Sequence, residues 1–273
     1  MKNAKWLSLI LALCLAVGAA SPATAGSWSD DIEEVWDSYR SGEKASTSAS
    51  QQLVNGTYCA FEMSLIIAHM LDSTGTNYSL FQNLYDKYIS ADSSAANAPQ
   101  QAVNGVYRTF EAGYYIALML DDGSWATGIQ KVRNNYYSGN TAVSSTSQQL
   151  LNGTYRTFEI WYIIARILDK DGAWDNAIQM VMNSYSASNS PDFSEAQQTI
   201  NGFYCTFEIL CIIAQMLDGD GYFAEDIQTV WSSYRLNITS QASAPQQQVY
   251  GSYRTFEILY VIAHILDNSY WRY

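Results

Sequence analysis

One motif returns five times along this chain at a period of 48 to 49 residues, and a strict internal period of that length dictates a repeat architecture. The third copy reads Ser145-x-x-Gln148-Gln149-x-x-Asn152-Gly153-x-Tyr155-Arg156-Thr157-Phe158-Glu159, followed by Ile164-Ala165-x-x-Leu168-Asp169. The same frame places Gly at 56, 105, 153, 202 and 251, with Tyr two positions later and Phe five positions later in every copy. The columns that begin at Ile67, Ala68, Leu71 and Asp72 are unbroken in all five copies.

Each copy carries two helical signals. Ser48, Asn97, Ser145, Ser194 and Ser243 stand three residues before a Gln, the spacing of a capping box, in which the Ser or Asn oxygen takes a free backbone N–H and the Gln reaches back. Pro99 and Pro245 fall in the first turn, where a missing N–H costs little. A helix from there to the Leu-Asp column spans about 23 residues, or roughly 35 Å. Its repeated Gly is then mid-helix, at a cost of about 1 kcal/mol relative to Ala. Glycine kept there in all five copies predicts close approach of a neighbouring helix. A shorter amphipathic helix precedes it: Ile32, Val35 and Tyr39, and their counterparts in the other copies, make one apolar stripe at 0, +3 and +7. Trp28, Trp125, Trp174 and Phe223 extend that stripe one turn earlier. The fold expected is all-α: five tandem helical hairpins forming an α/α toroid or a strongly curved α-solenoid.

The ends raise the question of closure. An open solenoid needs polar terminal copies, yet the last long helix runs Ile258-Leu259-Tyr260-Val261-Ile262, as apolar as the internal ones. A ring, a dimer through that end, or a curved open array would each cover it. Residues 1–25 read as a signal peptide: Lys2 and Lys5, an apolar run from Trp6 to Ala20, then Ala23-Thr24-Ala25 as the small-x-small cleavage pattern. Residues 26–273 then form one helical-repeat domain, with copies at about 27–72, 73–121, 122–169, 170–218 and 219–267 and a short tail, 268–273. Localisation is expected to be periplasmic or secreted. No later stretch reads as apolar enough to span a membrane, so no membrane insertion is expected.

Removing the leader takes the net charge from −12 to −14, which opposes nucleic acid, because phosphate neutralisation needs clustered Lys and Arg. Cys59, Cys205 and Cys211 remain, and an odd number is not a complete disulfide framework. Cys205 and Cys211 lie on one helix, on different faces and roughly 9 Å apart along it, so they cannot pair.

Chemistry could sit on one polar stripe of the long helix, spaced by 4, 3, 4 and 3 residues. Its Glu recurs in all five copies as Glu62, Glu111, Glu159, Glu208 and Glu257, and Arg108, Arg156 and Arg254 stand three residues before three of them. The same stripe ends on His69 in the first copy and His264 in the last. One reading is structural: i, i+3 ion pairs and satisfied groups between hairpins. The other has the stripe lining a concave face or lumen and binding a polar ligand. In a closed ring His69 and His264 would be neighbours, with two Glu beside them, the donor types of a zinc site; the alternative is a cation-capable residue near a helix C-terminus. The Asp column is harder to place, since an acid at a helix C-terminus opposes the dipole. Asp169-x-Asp171-Gly172 and Asp218-x-Asp220-Gly221 start like calcium loops but lack the later ligands, so they read as turns. No nucleophile, phosphate-loop or haem motif is present, and no cofactor or metal is expected.

The function expected is an exported, non-enzymatic binding or assembly module that presents a repeated polar and aromatic face to a protein, peptide or glycan partner. The alternatives are a polysaccharide-active enzyme using lumen glutamates, an analogy of fold alone, and a surface protein that self-associates through its end copies.

Overall fold

The computed structural model describes residues 28–44, 48–92, 97–139, 144–190, 192–239 and 241–267. The leader assigned to residues 1–25 and the tail 268–273 lie outside them. The described residues form ten helices: α1 (Ser29–Lys44), α2 (Ala49–Leu71), α3 (Tyr78–Asp92), α4 (Ala98–Leu120), α5 (Ala126–Gly139), α6 (Thr146–Leu168), α7 (Asp175–Ser188), α8 (Glu195–Leu217), α9 (Ala224–Ile238) and α10 (Ala244–Asp267).

The five long helices α2, α4, α6, α8 and α10 stand side by side, and α10 packs on α2 as extensively as α2 packs on α4. The array is therefore a closed ring, and this is what covers the apolar last helix. Ile258 to Ile262 are each no more than 2 % exposed. The short helices form an outer layer, each lying in the groove between its own long helix and the one before it; α1 lies between α2 and α10. Their stripe residues, from Ile32, Val35 and Tyr39 to Ile227, Val230 and Tyr234, are all buried.

The glycines set the spacing of the inner ring. A Cβ at Gly105 would lie 2.6 Å from Thr57 Oγ1, and one at Gly251 would lie 2.6 Å from Phe203 Cβ. At the ring closure a Cβ at Gly56 would collide with Ser252. Each glycine thus admits the residue one position past the glycine of the preceding copy. Contacts between equivalent levels make the five inner helices parallel, so their N-termini share one end of the ring.

Ser48, Asn97, Ser145 and Ser194 accept the backbone N–H three residues on, and of these four the full capping box is completed at Ser145 and Gln148. Gln197 instead donates to Asn201 at 3.2 Å. Trp28, Trp125, Trp174 and Phe223 extend the stripe one turn earlier: each stands just before its outer helix, and its carbonyl accepts the N–H of the first stripe residue at 2.9 to 3.0 Å. The expectation of no membrane-length apolar helix needs one correction: α8 is long and apolar enough by length and composition. It is apolar because it is enclosed by α6, α10 and the outer helices. Cys59, Cys205 and Cys211 are buried and unbridged.

Candidate functional site

The two opposite faces of the inner helices decide what the ring can do. The axial face carries one column that starts at Thr57 and reads Thr, Val106, Thr154, Phe203, Ser252. A second, three residues on, reads Ala60, Thr109, Thr157, Thr206, Thr255; together they enclose an axial cavity of about 20 Å³. That is room for roughly one water. Four of the threonines donate to the carbonyl of their own helix's glycine, at 2.9 Å from Thr109 and Thr255 and 2.8 Å from Thr157 and Thr206. Their hydroxyls are spent on backbone, which leaves methyl groups toward the axis. One turn further the axis is filled by Trp161, 2 % exposed, opposite Gly113, whose Cβ would meet Ile160 and the Trp161 indole. The largest side chain in this column faces the smallest.

The glutamate stripe lies on the other side, some 170° to 190° around each helix from the axis by the 100° step of an α-helix. Each glutamate meets the outer helix of the next copy. The tyrosine hydroxyl of that helix donates to it: Tyr88 to Glu62 at 3.0 Å, Tyr136 to Glu111 at 3.5 Å, Tyr185 to Glu159 at 3.0 Å and Tyr234 to Glu208 at 2.6 Å. Tyr39 to Glu257, at 2.8 Å, is the same bond across the closure. The tyrosine ring packs on the tyrosine and phenylalanine columns of the same inner helix, as Tyr39 does on Tyr253 and Phe256 at 5.0 and 4.4 Å. In the first three copies the carbonyl of that tyrosine accepts from the asparagine of its own copy: Tyr39 from Asn55 and Tyr136 from Asn152, both at 3.2 Å, and Tyr88 from Asn104 at 3.5 Å; the fifth copy has Tyr250 in place of the asparagine. Tyr39, Tyr88 and Tyr136 thus each tie two neighbouring inner helices together by hydrogen bonds.

Arg108 pairs with Glu111, Arg156 with Glu159 at 2.6 Å and Arg254 with Glu257 at 2.7 Å. In the first and fourth copies the arginine position is Cys59 and Cys205. Burial raises the Glu111, Glu159 and Glu208 carboxyls above the usual range; arginine pulls the first two back, and the tyrosine hydroxyl offsets part of the rise at all three. Burial takes Glu257 up to about 6, opposed by Arg254 and Tyr39. At none of these four does another glutamate of the column contribute to the shift. A pair of carboxylates acting across one glycosidic bond has to share a cleft about 5 to 9.5 Å across.

The histidines occupy different surroundings. His69 stacks on Trp28 at 6.0 Å and meets Phe81 edge-on at 4.9 Å; His264 meets Tyr260 edge-on at 4.5 Å and lies 3.7 Å from Glu33 Oε1. Burial lowers both to about 4. Among the described residues no three His, Cys, Asp or Glu side chains come together as a metal site.

The aspartates at the inner-helix C-termini serve the helix that follows. Asp72, Asp121, Asp169 and Asp218 accept the N–H of Asn77, Trp125, Trp174 and Phe223 at 2.8 to 3.0 Å, and Asp267 accepts that of Trp28 at 2.8 Å. The carboxylate thus meets the positive start of the next outer helix, where the dipole favours it.

Sequence reading passed over a cluster on the outside of the ring. Tyr115, Arg133 and Tyr137 each break their column: the counterparts of Tyr115 are Ile or Val, and no other copy has a base at 133 or an aromatic residue at 137. The three come together with Tyr114. The Arg133 guanidinium lies 5.2 Å from the Tyr114 ring centre and 5.5 Å from that of Tyr137. Aligning the copies column by column and marking single-copy departures would have revealed them. No family model, curated protein or solved structure matches the chain.

Proposed function

We propose that this chain is an exported, non-catalytic binding or assembly module. One observation carries the reading: residues repeated in every copy are used up in joints between helices. The five glutamates meet tyrosine hydroxyls, the aspartates cap helices and the axial threonines bond backbone. What is left to meet a partner is the outer surface, where the copies differ from one another. A protein, peptide or glycan is the partner such a surface suits, because tyrosine supplies contact area at little cost in side-chain entropy. The leader-like residues 1–25 support export.

Retention assays on immobilised peptides and polysaccharides, with the eluate analysed for cleavage products, test this reading. Retention of intact ligand supports it. Release of shortened chains, abolished by Glu208→Gln, would replace it with the glycosidase reading.

A further inference from the structure

The charges along the chain are unevenly placed. From Arg108 to Lys170 there are six bases and five acids, whereas the rest of the chain holds eight bases and 21 acids. The cluster of Tyr114, Tyr115, Arg133 and Tyr137 lies within this one sector of the ring that is not acidic. Helix α5, which supplies Arg133 and Tyr137, has no acid at all.

Arg133 is set apart from Arg108, Arg156, Arg166 and Arg254, each of which pairs with a carboxylate. Among the described residues Arg133 makes no ion pair; its neighbours are aromatic faces. Tyr137 is 55 % exposed, and Tyr114 and Tyr115 are half-buried, with ring centres 5.5 Å apart. One of the Arg133 N–H donors goes to the Tyr137 hydroxyl; a guanidinium has five such donors, so others remain for a ligand while its face lies against the rings. Below it, Glu111 is already paired with Arg108, so the positive charge of Arg133 is not cancelled locally.

We propose that this surface cluster of Tyr114, Tyr115, Arg133 and Tyr137 binds carboxylate-bearing sugar residues of a glycan. The proposal rests on the binding-module reading and names its ligand class. Tyrosine faces stack on the C–H faces of a pyranose, and their hydroxyls and the guanidinium edge meet its hydroxyls and carboxylate, the last as a charge-assisted pair. An acidic protein would satisfy the same charge but needs about 800 Å² of its own surface in contact, and the departures from the repeat are confined to a few residues. Nucleic acid is opposed by the acidic remainder of the ring.

Calorimetric titration of the protein with a galacturonic acid trimer, against the neutral galactose trimer, tests this. The acidic trimer should bind more tightly. Arg133→Ala and Tyr137→Ala should each weaken it by about tenfold, the scale of one charge-assisted or stacking contact; the melting temperature of Tyr137→Ala should be unchanged, because that side chain is 55 % exposed. Added salt should weaken the acidic trimer alone. Equal binding of both trimers, or no binding up to about 10 mM, would overturn the proposal and leave the module reading in place. Acidic-trimer binding that survives Arg133→Ala would overturn this location only. Cleavage of the trimer would instead overturn the module reading.

Discussion

The hydroxyl of Tyr39, at one end of the chain, donates to the carboxylate of Glu257, 218 residues away, over 2.8 Å. It is the bond that Tyr185 makes to Glu159 inside the ring at 3.0 Å. Trp28 and Asp267 repeat the relationship in the cap. The closure is therefore a joint like the other four.

Tyr39→Phe and Tyr185→Phe should destabilise the protein equally, by about 2 kcal/mol each, the value of a hydrogen bond to a charged group. Tyr136→Phe should cost less, because the Tyr136–Glu111 contact is long, at 3.5 Å. Urea unfolding of the three variants checks the order. A Tyr39→Phe change that costs nothing would mark the closure as a loose end.

The glutamates should divide by their arginines. Glu159→Gln strands Arg156, whose side chain is only 13 % exposed, and should cost about 3 kcal/mol as an unpaired buried charge. Glu208→Gln keeps an acceptor for Tyr234 and removes a carboxylate that burial disfavours, so it should be neutral or stabilising. A raised carboxyl contributes stability below its unfolded value and loses it as pH rises through the folded one. The advantage of Glu208→Gln should therefore grow toward neutral pH. Melting curves at acid and neutral pH read this directly.

Much of the architecture was legible because repetition averages out chance. The 23-residue inner helices, the close approach at the Gly56 column and the buried stripe of Ile32, Val35 and Tyr39 all follow from spacing. Which face of the inner helix meets the axis did not follow. A helix enclosed on every side is apolar all round, so periodicity has no phase to report. Polarity then misled, since the axial threonines spend their hydroxyls on backbone while the outward glutamates have their carboxylates covered by tyrosine hydroxyls. The Tyr–Glu bond was invisible because it joins different copies. The Asp column was readable in principle, as each Asp precedes the start of the next outer helix by four or five residues.

Both histidines should make the fold acid-sensitive. Each is lowered to about 4 from 6.5 by burial. A depressed group contributes stability above its unfolded value and loses it as pH falls through the folded one. The loss between pH 6.5 and 4 is on the order of 3 kcal/mol per histidine. It opposes the gain from Glu257, which is raised to about 6 and so stabilises as pH falls from 6 toward 4.5. Relative to wild type, His264→Gln should therefore gain stability on acidification. A pH-independent difference would show that His264 is not held neutral.

The axis should behave as core. Trp161→Ala should cost about 3 to 5 kcal/mol, the range for deleting a buried aromatic, and Gly113→Ala should cost less because one methyl is crowded against Ile160 and Trp161. A tolerated Trp161→Ala, by denaturant titration, would mean that the axis is an open channel.

The closed ring is tested most directly by moving the chain ends. A circular permutant joins Asp267 to Trp28 through a turn copied from Gly219-Asp220-Gly221-Tyr222 and opens between Gly139 and Ser144, between α5 and α6. If all five joints are equivalent, it keeps the helical spectrum of the parent and unfolds in one transition with a midpoint within a few degrees of it. A permutant that fails to fold, or that melts in two steps with the new seam lost first, would contradict the ring.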